Sequence, residues 1–203
     1  MNIVNVGYDS TNYYVLGQGH TRLLVDVGWP GTLPKLMANL KRKDIPLPAI
    51  RYLLVTHYHP DHAGLAQEVK AHGVKLIVLD SQVQAIPILK THMKPVNHYV
   101  DIRLDDNLNL TCEASRKFLH GIGLEGEIVS TPGHSVDSIT LILDEGFAFT
   151  GDLPGPQFAT DEARSQVELS WAKIRARPVT TIYPGHGPIR PLDDTPGARS
   201  IHE

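Results

Sequence analysis

His57-Tyr58-His59-Pro60-Asp61-His62 places three imidazoles and a carboxylate within six consecutive positions. The preceding Tyr52-Leu53-Leu54-Val55 is a short apolar run of the kind that forms a buried strand. On an extended backbone leaving that strand, His57 and His59 project to the same side, because side chains alternate with a period of two. Pro60 then turns the chain, and Asp61 and His62 fall at the start of a helix, where they face a second point near the first. One short loop would thus feed two neighbouring metal ions. A single histidine here reads as a solvated or core-satisfied side chain. Four donors in six residues, at the end of an apolar strand, read as metal ligands.

Working outward, short apolar runs punctuated by Gly or Asp predict strands over Ile3–Gly7, Tyr13–Gly17, Leu23–Gly28 and Arg51–Thr56. Helical spacing predicts helices over Gly31–Leu40 and Ala63–Ala71, and a third over Gln82–Lys90 capped by Ser81. Lys75–Leu79 reads as a strand, and Thr91–Asn107 is the least regular stretch. In the second half, strands are expected at Leu108–Thr111, Gly126–Thr131, Ser138–Leu143, Phe147–Thr150 and Thr180–Tyr183, with a helix over Asp161–Ala176. This order is that of a mixed α/β layered chain and not a βαβ repeat.

The 203 residues suit one domain, 1–203, with no repeat or linker-like run to divide it. With 41% hydrophobic and 20% charged residues, disorder, collagen and coiled coil are excluded. A net charge of −3 leaves no broad basic field for phosphate backbones, so a small-molecule substrate is expected and a nucleic acid disfavoured. The lone Cys112 excludes an internal disulfide and fits a reducing compartment. The N-terminus lacks the basic n-region of a signal peptide, and runs such as Leu76-Ile77-Val78-Leu79 are too short to span a bilayer; the expectation is a soluble, cytoplasmic protein with no membrane partner.

Three further donors, His134, Asp152 and His186, each stand beside glycine at the end of a predicted strand, where the backbone can turn sharply into a crowded site. With the first cluster they make seven ligands, the number needed by two four- or five-coordinate ions that share one carboxylate and one water. The order His57-x-His59-x-Asp61-His62, then His134, Asp152 and His186, resembles the metallo-β-lactamase superfamily over nearly the whole chain. That resemblance implies a four-layer αββα sandwich with the site at one edge of paired sheets. It implies that His57, His59 and His134 hold one metal, that Asp61, His62 and His186 hold the other, and that Asp152 bridges them. Asp26, in Leu24-Val25-Asp26-Val27-Gly28, resembles the family's supporting aspartate.

Two neighbouring divalent ions lower the pKa of a shared water, so hydroxide is the expected nucleophile on a carbonyl carbon or phosphorus. Asp61 would orient the water or shuttle a proton to the leaving group, and Tyr183 would donate a hydrogen bond to the developing oxyanion. Ligation by His and Asp without a thiolate favours zinc; iron and manganese are chemically compatible. Lactamases of the best-known dinuclear group place a cysteine near the position of Asp152, whereas Cys112 lies outside the motif order, so an antibiotic-resistance role is not expected. Only 17 residues follow His186, fewer than the helical substrate domain of glyoxalase II-type thioesterases requires. The expectation is a minimal binuclear hydrolase of a small ester, thioester or lactone. The alternatives are a phosphodiesterase or nuclease of the same fold, β-lactamase-like amide hydrolysis as a side activity, and a non-catalytic metal-binding module. Gly121-x-Gly123-x-x-Gly126 precedes a strand and is therefore read as a loop, not a dinucleotide fingerprint. His20, His72, His92, His98, His120 and His202 read as surface residues, although His92, His98 and His120 flank irregular segments that face a substrate in many enzymes.

Overall fold

Sequence periodicity and structure agree first at β4 (Ile50–Leu54), whose Leu53 and Leu54 are fully buried. The structure, a computed structural model, describes residues 1–17 and 21–194; His20 and His202 lie outside them. The chain divides into two compact units, Met1–Thr111 and Cys112–Glu203.

The first unit is built on a six-stranded sheet in the order β1-β2-β3-β4-β5-β6. Its strands are β1 (Ile3–Asn5), β2 (Tyr14–Leu16), β3 (Arg22–Val25), β4, β5 (Lys75–Leu79) and β6 (Leu108–Leu110). The first three strands pair antiparallel, and β3 through β6 run parallel. The carboxyl ends of β3, β4 and β5 therefore emerge at one edge, where loops meet. Helix α1 (Leu33–Arg42) lays Leu36 and Leu40 onto the core that contains Leu24, Leu53 and Val55. Each such side chain taken from water contributes roughly 1.5–3 kcal/mol.

Two helical expectations fare differently here. The segment after the histidine loop is split into α2 (Pro60–Ala63) and α3 (Ala66–Lys70). The break falls at Gly64, where a Cβ would lie 2.4 Å from Pro30 Cδ. The helix expected over Gln82–Lys90 is reduced to a 3₁₀ turn, Asp80–Gln82, and α4 (Ile86–Leu89). Gln82 is fully buried and its amide bridges Leu79 N and Val55 O, while Pro87, which has no N–H to donate, is tolerated only in the opening turn of a helix.

The second unit carries a five-stranded sheet ordered β11-β10-β9-β8-β7. These strands are β7 (Gly126–Ser130), β8 (Ile139–Leu143), β9 (Phe147–Gly151), β10 (Thr181–Pro184) and β11 (Arg190–Pro191). Since β8 is antiparallel to both β7 and β9, and β10 is parallel to β9, the strands β7, β9 and β10 all point the same way. Helix α6 (Asp161–Arg175), capped by the Thr160 hydroxyl, buries Val167, Trp171 and Ile174 against Val129, Ile142, Ala148 and Ile182. Helix α5 (Cys112–Gly121) was not anticipated. Its buried positions are Ser115 and Leu119, and Ser115 Oγ accepts the Ile128 N–H, so a polar residue stands where periodicity looks for an apolar one.

Candidate metal centre

In the first unit the donors grow from the parallel pair β3–β4. Asp26, directly after β3, is 2% exposed and sits at φ +63°, a left-handed conformation that aspartate tolerates better than most residues. Its Oδ1 accepts the Thr56 N–H at 2.6 Å; its Oδ2 accepts the Thr56 hydroxyl at 2.8 Å and faces His62 Nδ1 at 2.9 Å. The Thr56 hydroxyl has one proton and gives it to Asp26, so towards His57 Nδ1, 3.1 Å away, it acts as acceptor. One buried carboxylate, as acceptor, thereby keeps the proton on Nδ1 of both rings, directly for His62 and through Thr56 for His57, and both present the Nε2 lone pair, the arrangement metal-binding histidines use. The rings crowd together, with centroids of His57 4.5 Å from His59 and 4.3 Å from His62.

Asp61 Oδ2 stands 3.5 Å from His62 Nε2, outside good hydrogen-bonding distance. Two ligands about 2.1 Å from a tetrahedral ion are separated by about 3.4 Å, and this pair has that spacing. Two residues that sequence reasoning missed hold Asp61. The Thr11 hydroxyl donates to Asp61 Oδ2 at 3.2 Å, and the Tyr13 hydroxyl donates to its carbonyl at 3.2 Å. Burial and the neighbouring Tyr8 raise the Tyr13 pKa, keeping that phenol a donor; Tyr8, itself pushed up to about 12 chiefly by burial, packs edge-on at 5.0 Å. No local pattern marks Thr11, whose role arises 50 residues from its partner.

In the second unit the three equally directed strands deliver one donor each. His134 follows β7, Asp152 follows β9 and His186 follows β10. Asp152 Oδ2 lies 3.6 Å from His134 Nε2 and 3.4 Å from His186 Nε2, again the spacing of ligands around an ion and not of direct hydrogen bonds. The loops are fastened from below: Ser170 Oγ on α6 donates to Pro132 O at 2.6 Å, and Trp171 Nε1 donates to Pro154 O at 2.8 Å. Gly133 adopts φ +146°, and a Cβ there would meet Val167 Cγ2 at 2.6 Å, so glycine is required for close approach to the helix. In both clusters the donor set and its spacing suit a divalent ion such as zinc, and in the first the Nε2-outward tautomers of His57 and His62 do so too.

Tyr183 lies on β10 with its ring stacked on Phe149 at 4.8 Å and edge-on to Phe147 at 5.6 Å; burial raises its pKa, so it is a neutral phenol at pH 7. Of the doubtful histidines, His92 sets its ring 6.0 Å from His59, while His120 pairs with Glu125 at 2.7 Å on the surface. A recess of about 530 Å³ opens beside His134, Asp152 and His186.

Two mixed sheets, each with helices in its unit and each carrying a cluster of metal-type donors at its strand ends, are the features of the metallo-β-lactamase class of fold. The family model of the metallo-beta-lactamase superfamily matches residues 6–186, and the chain belongs to that superfamily. Among curated relatives, the beta-lactamase-like protein 2 homolog of Caenorhabditis elegans is 31% identical over 186 residues, covering 88% of this chain and 56% of the relative. The thioesterase pkgB of Emericella nidulans is 29% identical over 185 residues, covering 87% and 46% respectively. The chain thus spans about half the length of the curated relatives it matches. A metallo-beta-lactamase family protein from Thermus thermophilus superposes with a TM-score of 0.70 at 18% identity, covering 93% of this chain and 73% of that one. The metallo-beta-lactamase FIM-1 from Pseudomonas aeruginosa, solved in its mono-zinc form, gives 0.65 at 23% identity, covering 90% and 79%. Among the described residues, no helix is long and apolar enough to cross a membrane.

Proposed function

We propose that the two units work as one catalytic domain, a binuclear metal-dependent hydrolase of a small ester, thioester or lactone. In this reading His57, His59 and His134 hold one ion, Asp61, His62 and His186 the other, and Asp152 contributes to both. When bound, the ions supply Lewis acidity and an acidified water. The residues do the rest. Asp26, through Thr56, keeps His57 and His62 in the tautomer that can bind. Asp61, whose carboxylate accepts from Thr11, would orient the water or shuttle a proton to the leaving group. Tyr183, three residues before His186 and a neutral phenol at pH 7, is assigned as a hydrogen-bond donor to the reacting carbonyl. Zinc is the proposed metal, supported by the all-His/Asp donor set and by the mono-zinc neighbour. The lone cysteine supports a reducing, cytoplasmic setting.

The observation that carries the proposal is the placing of Asp152 Oδ2 within 3.6 Å of two imidazole nitrogens at ligand spacing. The named thioesterase among the relatives supports the acyl-transfer class. The test is a screen of the zinc-loaded chain against a nitrophenyl ester, an acyl thioester, a lactone and bis-nitrophenyl phosphate, before and after chelation. Chelator-sensitive turnover of an acyl substrate is expected. Preference for the phosphodiester, or inertness to all four, would overturn the proposal.

A further inference from the structure

The loop that follows β9 presents apolar side chains to the recess beside the second donor cluster. Leu153, Pro154 and Phe158 line it together with His134, Asp152 and His186. Leu153 is buried and belongs to the core under α6, whereas Phe158 is 75% exposed. A phenylalanine in open water is ordinary when it stands alone on the surface. This one instead lines, with two other apolar side chains, a concavity of about 530 Å³ that also holds metal-type donors.

The loop is fastened where it bears the ring. Trp171 Nε1 donates to Pro154 O at 2.8 Å, Arg164 Nη1 donates to Pro156 O at 3.3 Å, and Phe158 N donates to Gly155 O at 2.9 Å. Pro154 and Pro156 each lock a backbone φ as well. An apolar surface held in this way is ordered before anything binds, so a ligand gains its burial without the cost of freezing the loop. Small-molecule sites have this make-up, apolar walls with a few polar groups that fix orientation.

We infer that Phe158 sets the substrate class: the ester, thioester or lactone carries an uncharged hydrocarbon group within a few bonds of its reacting carbonyl, and that group lies against Phe158, Leu153 and Pro154. The inference rests on the hydrolase reading above. The hydrocarbon can belong to the acyl side or to the leaving-group side, since either buries the same methylenes.

Three esters test this, none with an aryl leaving group that would itself lie on Phe158. They are methyl acetate and two isomers that lengthen it equally, methyl pentanoate on the acyl side and butyl acetate on the alcohol side. Each methylene taken from water is worth about fourfold in kcat/KM. The zinc-loaded chain, followed by pH-stat titration, is expected to favour at least one isomer over methyl acetate by about tenfold or more, and the favoured isomer names the side that enters. In Phe158→Ala that ratio should fall about threefold or more, and Phe158→Leu should keep most of it. Ratios near one for both isomers, or a ratio that Phe158→Ala leaves unchanged, overturn the inference while leaving the hydrolase reading intact. The non-hydrolysable ketone 2-heptanone reads the recess without turnover. The zinc-loaded chain carrying ring-labelled phenylalanine is titrated with 2-heptanone and with acetone, and the Phe158 resonance is the one missing from Phe158→Leu. Saturable movement of that resonance with 2-heptanone, at concentrations where acetone moves nothing, supports the inference. No movement, or equal movement with both, overturns it. Inertness to all three esters with that movement intact defeats the hydrolase reading and spares the hydrocarbon assignment of the recess.

Discussion

The first unit draws its donors from a single turn and wires two of them, His57 and His62, to one buried carboxylate, whereas the second draws them from three separate turns and fastens two of those loops to a helix. The difference shows in exposure: the His62 side chain is 0% exposed, against 31% for His134 and 39% for His186. A buried imidazole has no water to settle which nitrogen carries the proton, so a fixed acceptor must decide it. A half-exposed one can exchange its proton with solvent, and only its backbone needs to be held. The two clusters thus obtain the same ligand spacing from different physics, electrostatic wiring in one and close backbone packing in the other.

The sharpest probe of this contrast is Asp152, whose one oxygen faces two imidazoles of the second cluster. On the proposed assignment, Asp152→Asn should reduce the content from two ions to fewer than one per chain and lower turnover by more than about 100-fold, beyond the range of a supporting residue. Asp61→Asn should cost only one ion, and elemental analysis of the two variants checks the difference. Next in size is Asp26→Asn. Asparagine accepts the φ of +63°, but it turns an N–H₂ towards His62 Nδ1 and reverses the tautomer. Metal affinity should fall about 10–100-fold in competition with a chromophoric chelator, with the circular dichroism spectrum unchanged. If affinity holds, the wiring of the first cluster is dispensable and the contrast fails.

The matching probe of the second cluster is Gly133→Ala, which forces a Cβ against Val167 at φ +146°. A loss of about 1–3 kcal/mol in urea unfolding of the metal-free chain is expected, which Asp26→Asn should not match. Smallest is Glu127, whose carboxyl is held below its ordinary value first by the hydrogen bond from Arg177 and helped by Arg116, away from either cluster. A depressed carboxylate pKa stabilises the fold above the unfolded value near 4.5 and ceases to do so as pH falls through the folded one. Glu127→Gln should therefore cost under about 1 kcal/mol at pH 7, lose even that effect in strong acid, and leave metal content untouched.

What could be read from the sequence follows the same division. The His57–His62 turn is contiguous and preceded by an apolar strand, so its chemistry and its secondary structure are local properties and both were legible. His134, Asp152 and His186 were found individually only because glycine flanks each one. The family pattern then joined them. Asp26 was visible through that pattern too, but its reach through Thr56 to His57 depends on two parallel strands ending together. Thr11 and Tyr13, which act on Asp61, left no signal, and neither did the reach of Gln82 to Val55 and Thr56, since these partners lie at least 26 positions away. Helix α5 escaped because Ser115 fills a core position with a hydroxyl. Tertiary hydrogen bonds decide such cases, and periodicity does not record them.

Helix α6 grips Pro132 and Pro154 through neighbouring residues, Ser170 and Trp171, so the turns carrying His134 and Asp152 hang from a single rigid rod. Thermal displacement of that rod carries both turns in step, and the gap between the two side chains is insulated from it. Errors common to both cancel; only motion of one turn against the other can spoil the spacing, and the shared anchorage suppresses that mode.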